Sequence, residues 1–110
     1  MISIITPVYN GERFIEKCIQ VVIEQHCPDI EHIIIDGGSK DRTIEIIKKY
    51  AQKYSHIQWI SEKDKGQSDA MNKGIKLAKG DILSILNVDD YYERNVLNRV
   101  TEIFQTLPKP

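Results

Sequence analysis

Four short runs rich in β-branched residues, each followed by an amphipathic stretch, set the strongest limit on what this chain can fold into. Ile2-Ser3-Ile4-Ile5-Thr6, Ile30 with Ile33-Ile34-Ile35, Ile57-Gln58-Trp59-Ile60 and Ile82-Leu83-Ser84-Ile85-Leu86 read as strands. After the first, Phe14, Ile15, Cys18, Ile19, Val22 and Ile23 recur at helical spacing. They lay one apolar stripe on a helix over 11–26, with Asn10 as its N-cap. Ser39 is placed to cap a second helix, on which Ile44, Ile47, Ala51 and Tyr54 share a face. Gly66 and Ser68 open a third, with Ala70, Met71, Gly74, Ile75 and Ala78 inward and Gly80 as the stopping C′ glycine. A fourth helix over 93–106 carries Val96, Leu97, Val100, Ile103 and Phe104 and ends before Pro108.

Strict alternation of strand and helix, with strands apolar on both faces, predicts an α/β fold: a Rossmann-like parallel sheet of about four strands flanked by helices. Crossovers in such a sheet are right-handed. Ligands bind beyond the C-terminal strand ends, where the strand order reverses. The residues to weigh are therefore Thr6 to Asn10, Asp36 to Ser39, Glu62 to Gln67, and Asn87 to Asp90.

Composition narrows the classes. The chain has 110 residues, enough for one domain. Its 15 basic and 16 acidic residues leave a formal charge of −1, which argues against a nucleic-acid partner. No apolar run reaches the length of about 20 residues that spans a membrane. The first residues show neither the basic nor the apolar region of a signal peptide, so a cytoplasmic location is the expectation. Cys18 and Cys27 make no CxxC pair and no disulfide framework. His26, His32 and His56 lack metal-ligand spacing and read as surface or strand-flanking residues. Trp59 reads as core, and Cys18 as a buried thiol on the helix stripe.

Each strand end offers a functional reading beside a plain one. Pro7-Val8-Tyr9-Asn10-Gly11 is neither GxGxxG nor a P-loop, which argues against NAD or P-loop chemistry. The Tyr9 ring could stack on a nucleobase or pack on the first helix. Asp36 could accept from a base N–H or a ribose hydroxyl, or cap local amides, and Gly37-Gly38 leaves room for a close ligand. Asp89 and Asp90 are adjacent acids directly after a strand. They suit a divalent cation held together with substrate phosphates, or an acidic N-cap for the last helix.

Four blocks in order carry a resemblance. They are Ile4-Ile5-Thr6-Pro7-Val8-Tyr9-Asn10, Ile34-Ile35-Asp36-Gly37-Gly38-Ser39-Lys40-Asp41, Asp64-Lys65-Gly66-Gln67 through Ala70-Met71-Asn72-Lys73-Gly74, and Gly80-Asp81 with Asn87-Val88-Asp89-Asp90. Together they resemble the family 2 glycosyltransferases, which have the GT-A fold, over essentially the whole chain. The resemblance implies a nucleotide-diphosphosugar site, most often for a UDP-sugar. Thr6, Pro7 and Tyr9 would belong to the nucleotide site, with Thr6 and Tyr9 lining the nucleobase pocket. Asp36 would read the base, and Lys65 and Gly66 would border the nucleotide. Asp89 and Asp90 would contact the ribose and a divalent cation, Mn²⁺ or Mg²⁺, in an order left open. Asn87 departs from the first acid of a DxD motif, and Arg42 stands where a glycine is frequent.

The same resemblance implies an inverting displacement, with a carboxylate base on the acceptor hydroxyl. That base is expected beyond residue 110, so residues 1–110 are read as a single donor-binding domain lacking the acceptor half. Two alternatives stand beside the enzyme. One is an inactive truncated module of the same fold, used for binding or assembly. The other is a sugar-nucleotide nucleotidyltransferase, disfavoured because Pro7-Val8-Tyr9-Asn10 is not a glycine-rich basic loop. A homodimer, or docking of a missing half, is expected through the sheet edge next to the fourth strand. A longer parent protein leaves membrane association open.

Overall fold

A computed structural model describes residues 1–63 and 66–88. The elements are β1 (Ile2–Val8), α1 (Ile15–Glu24), β2 (Ile30–Asp36), α2 (Thr43–Lys53), β3 (Ile57–Ser61), α3 (Gln67–Leu77) and β4 (Ile82–Ile85). All strand pairs are parallel, in the order β3-β2-β1-β4. The chain adds β2 and β3 on one side of β1 and then returns to place β4 on the other. The expected helix over 93–106 lies outside the described residues.

Side-chain alternation sorts the core into two faces. Ile2, Ile4, Val8 and Ile34 meet Cys18, Val22, Ile15 and Ile19 of α1 and Ile47 of α2. Ile5, Ile33 and Ile35 meet Ala70 of α3. So α1 and α2 cover one face and α3 the other. Crossovers of one hand demand that arrangement when the direction of strand addition reverses between β3 and β4. Trp59 is half-buried against the α1–α2 face, with the Lys48 ammonium 5.8 Å from its ring centre. Cys18 is buried as the stripe requires. Among the described residues, no helix is long and apolar enough to cross a membrane.

Several local expectations are corrected. Asn10 does not cap α1. It adopts φ +50°, and its Oδ1 accepts from the Lys40 N–H at 2.9 Å; a turn follows before α1 starts at Ile15. Ser39 does not cap α2; Asp41 Oδ1 accepts the Thr43 N–H at 2.9 Å instead, nearer the helix start. Gly80 is not a left-handed C′ residue. It is needed because a Cβ there would stand 2.5 Å from the Met1 carbonyl oxygen and 2.6 Å from Ser3 Oγ. Ile75 is 45% exposed rather than inward, since Ala70 and Gly74 take the close contact with the sheet.

His32 is fully buried within β2, not at the surface. Its Nε2 lies 2.8 Å from Thr6 Oγ1, while Nδ1 has no protein partner. Burial, with a smaller push from His56, takes its pKa down to about 3. The strand β4 is not apolar-covered on both faces. It borders the sheet, and Leu83 and Ile85 are 48% and 40% exposed on the side that carries α3.

Candidate functional site

The four loops that leave the C-terminal strand ends surround one cleft of about 1030 Å³. The end of β1 supplies Pro7 and Val8, and the segment after it Tyr9, Asn10, Gly11 and Phe14. The loop after β2 supplies Gly37, Gly38 and Lys40. The segment after β3 supplies Lys63 and Gly66, α3 supplies Ala70, and the segment after β4 supplies Asn87 and Val88. This is the crevice position that the reversal of strand order between β1 and β4 creates.

A buried carboxylate organises the wall. Asp36 ends β2 and is fully buried. Its Oδ2 accepts from Gly38 N–H at 3.0 Å, Ser39 N–H at 2.8 Å and Ser61 Oγ–H at 2.8 Å, and Ser39 Oγ–H donates to Oδ1. A carboxylate accepting several donors needs no cation beside it. Gly38 has φ +87°, a left-handed turn that a Cβ would strain, and this conformation brings its N–H back to Asp36.

The β2 loop is then tied to its neighbours. Ser39 Oγ accepts the Asn10 N–H at 2.7 Å, Gly37 N–H donates to the Val8 carbonyl at 2.9 Å, and Glu62 N–H donates to the Asp36 carbonyl at 3.0 Å. Behind them, Thr43 Oγ1 accepts the Gly11 N–H at 2.9 Å and its hydroxyl donates to Asp41. Desolvation pushes the Asp41 carboxyl up, but the hydroxyl and N–H of Thr43 and the N–H of Glu12 outweigh it and hold it below the usual range.

The site residues expected from sequence fall into three groups. Pro7, Tyr9 and Gly66 line the cleft, and the Tyr9 ring is 60% exposed there. Thr6 and Asp36 lie beneath the lining: Thr6 turns its hydroxyl to His32, and Asp36 holds loop amides and hydroxyls. Of the two readings of Asp36, the contacts made here are those of the local cap. Lys65, Asp89 and Asp90 lie outside the described residues. Among the described residues, no group of three or more His, Cys, Asp or Glu side chains is placed to hold a metal.

Sequence reasoning passed over Phe14, Lys40 and Lys63 as site residues. Phe14 falls by spacing on the apolar helix stripe, yet it precedes α1 and stands 47% exposed at the cleft. Lys63 lies in the strand-end segment Glu62 to Gln67 and Lys40 directly follows the segment Asp36 to Ser39, and that position is the signal available for them. The described lining thus joins two exposed aromatic rings, glycine backbone and two lysines, and no carboxylate. It is suited to a ligand with a flat ring and negative charge.

A parallel α/β sheet with its cleft at the strand-order reversal defines the open-sheet α/β class, in which ligands bind at that crevice. The match to known proteins is more specific. The model of glycosyl transferase family 2 matches residues 3–109, and the chain belongs to that family. It is 40% identical to the uncharacterized glycosyltransferase EpsJ of Bacillus subtilis over 102 residues, covering 93% of this chain and 30% of that protein. It is 30% identical to the chondroitin synthase of Escherichia coli, over 96% of this chain and 15% of that one. Among solved structures, it overlays TarS of S. aureus in complex with UDP-GlcNAc at a TM-score of 0.84 and 25% identity, covering 94% of this chain and 31% of TarS. The mannosyltransferase PcManGT of Pyrobaculum calidifontis, solved with GDP-Man and Mn²⁺, shares the fold at a TM-score of 0.85 and 22% identity, over 97% of this chain and 32% of that chain. The chain thus spans about a third or less of the length of these proteins, and its four-stranded parallel sheet flanked by helices matches the GT-A architecture.

Proposed function

We propose that residues 1–110 bind the nucleotide-diphosphosugar donor of a glycosyltransferase that passes the sugar to an acceptor hydroxyl. The observation that carries this reading is the cleft at the strand-order reversal, lined by Tyr9, Phe14, Lys40 and Lys63. Family membership and the likeness to TarS, solved with UDP-GlcNAc, support a UDP-sugar as the donor. Pro7 and Tyr9 would take the nucleobase side, with Lys65 and Gly66 at the nucleotide's border. Asp36 and Thr6 would act from below: Asp36 fixes the Gly38–Ser39 turn, and Thr6 bonds to the buried His32.

Asp89 and Asp90 are the residues proposed to hold a divalent cation, Mn²⁺ or Mg²⁺, which when bound neutralises charge developing on the diphosphate leaving group. Carboxylate oxygens are hard ligands that suit either ion. The general base is proposed to lie beyond residue 110, and the cytoplasm is the proposed compartment.

Calorimetric titration of UDP and of GDP, with Mn²⁺ present, tests the reading. Binding of UDP is expected; a folded chain that binds neither nucleotide would overturn it. A second reading, an assembly module without catalysis, draws on the bordering strand β4 and its exposed Leu83 and Ile85. It predicts association through that edge, as a homodimer or with an acceptor half. A monodisperse monomer by light scattering at high concentration counts against the homodimer.

A further inference from the structure

Four lysines of the described structure have counter-charges or rings. The Lys73 ammonium lies 3.0 Å from Glu62 and 3.5 Å from Asp69. Those of Lys48, Lys49 and Lys53 stand over the rings of Trp59, Tyr50 and Tyr54. Lys40 and Lys63 differ. Both line the cleft, and among the described residues neither forms an ion pair with a carboxylate.

Their backbones are held in place. The Lys40 N–H donates to Asn10 Oδ1 at 2.9 Å, which joins the β2 loop to the β1 loop. The Lys63 backbone lies against Gly38, with its N and Cα 3.6 Å from where a Cβ on that glycine would stand. The segments after β2 and β3 therefore bring two lysines to one cleft whose described lining holds no carboxylate. Both lysines are exposed at the cleft, so their charge is available to an arriving polyanion. The rings lie on another segment: Tyr9 and Phe14 follow β1. Ring binding and anion binding are thus divided between different loops.

We propose that Lys40 and Lys63 hold the diphosphate of the nucleotide directly, giving the site an anion hold that operates without a divalent cation. The assignment rests on the donor-binding reading and deepens it. It makes the two lysines specificity-determining for a nucleoside diphosphate over a nucleoside. Their charge acts on the diphosphate, while Tyr9 and Phe14 face the uncharged part of the ligand.

The test is titration of UDP, uridine and pyrophosphate into the full chain in EDTA, at low and at raised salt. It compares the wild type with Lys40→Met, Lys63→Met and the double variant. Methionine keeps a similar aliphatic stem and removes the charge. Each single change is expected to weaken UDP about threefold and the pair about tenfold, in the range of partly exposed charge pairs. Pyrophosphate should weaken in parallel and uridine should not change. Salt should weaken UDP binding in the wild type and much less in the double variant.

A double variant that binds UDP and pyrophosphate as the wild type does overturns the lysine assignment and leaves the donor reading standing. Equal losses for uridine and UDP overturn it too, because the effect would then be one of fold. So would a wild type that binds none of the three without a cation. If pyrophosphate binds in a lysine-dependent way while neither UDP nor uridine binds better than it, the nucleotide reading falls and the anion hold stands.

Discussion

Acid should destabilise this chain through one buried imidazole. His32 sits in the middle of the sheet, fully buried, with Nε2 2.8 Å from Thr6 Oγ1 and Nδ1 without a partner. The tautomer that donates Nε2–H to Thr6 leaves only a lone pair unsatisfied, which costs less than an orphaned N–H. Charging the ring would add a second N–H with nothing to accept it, in a site without water contact. The folded pKa is about 3, against 6.5 for an unperturbed histidine, and the dominant cause is burial. Because the folded value is the lower one, the neutral ring's contribution is complete above about pH 6.5 and declines as pH falls toward about 3. The slope is about 1.4 kcal/mol per pH unit in that window, so about 2 kcal/mol should be lost by about pH 5.

Carboxylates and His56, whose pKa is also lowered by burial, titrate over overlapping ranges. A His32→Gln variant separates them, because it keeps a hydrogen-bonding side chain and cannot be charged. Urea unfolding followed by the fluorescence of Trp59, the single tryptophan, at about pH 7 and about pH 5 gives the comparison. The wild type should lose about 2 kcal/mol more than the variant on acidification. Equal pH dependence in the two proteins would refute the argument, whatever their stabilities at neutral pH.

Other outcomes follow from single contacts. Gly74→Ala should destabilise by about 1–3 kcal/mol, since its Cβ would enter the space of Ile5 on β1 and overpack the α3 face; a lowered Tm by calorimetry checks this. Asp36→Ala leaves two N–H groups and one hydroxyl of the β2 loop, and the Ser61 hydroxyl of β3, without their acceptor, so it should cost about 2–3 kcal/mol and weaken UDP binding. Unchanged stability by urea unfolding would contradict the role given to that carboxylate. Asp89→Ala and Asp90→Ala should reduce Mn²⁺-dependent UDP affinity while circular dichroism stays unchanged; full affinity in both variants would move the cation elsewhere.

Much of the layer architecture was legible in the order of residues, because it depends on periodicity. Short runs of isoleucine, apolar on both faces, mark strands, and the stripe through Cys18, Ile19 and Val22 marks a helix face, whatever surrounds them. The same reasoning located the cleft, since ligands in such sheets gather where the strand order reverses. It erred where several short polar residues compete for the same job. Asn10 and Ser39 both look like helix caps, yet each bonds across to the other's loop, 29 and 30 positions away in the chain.

Sequence alone thus determined the alternation of elements, the parallel sheet and the family, through local patterns and four spaced blocks. Only the tertiary structure decided which residues face the cleft. Asp36 and Thr6 are drawn under the lining because donors from Gly38, Ser39, Ser61 and His32 converge on them from separate segments. Lys40 and Lys63 are brought to one cavity although they stand 23 positions apart in the chain. Burial and charge proximity are set by distances across the fold, and spacing along the chain does not encode those distances.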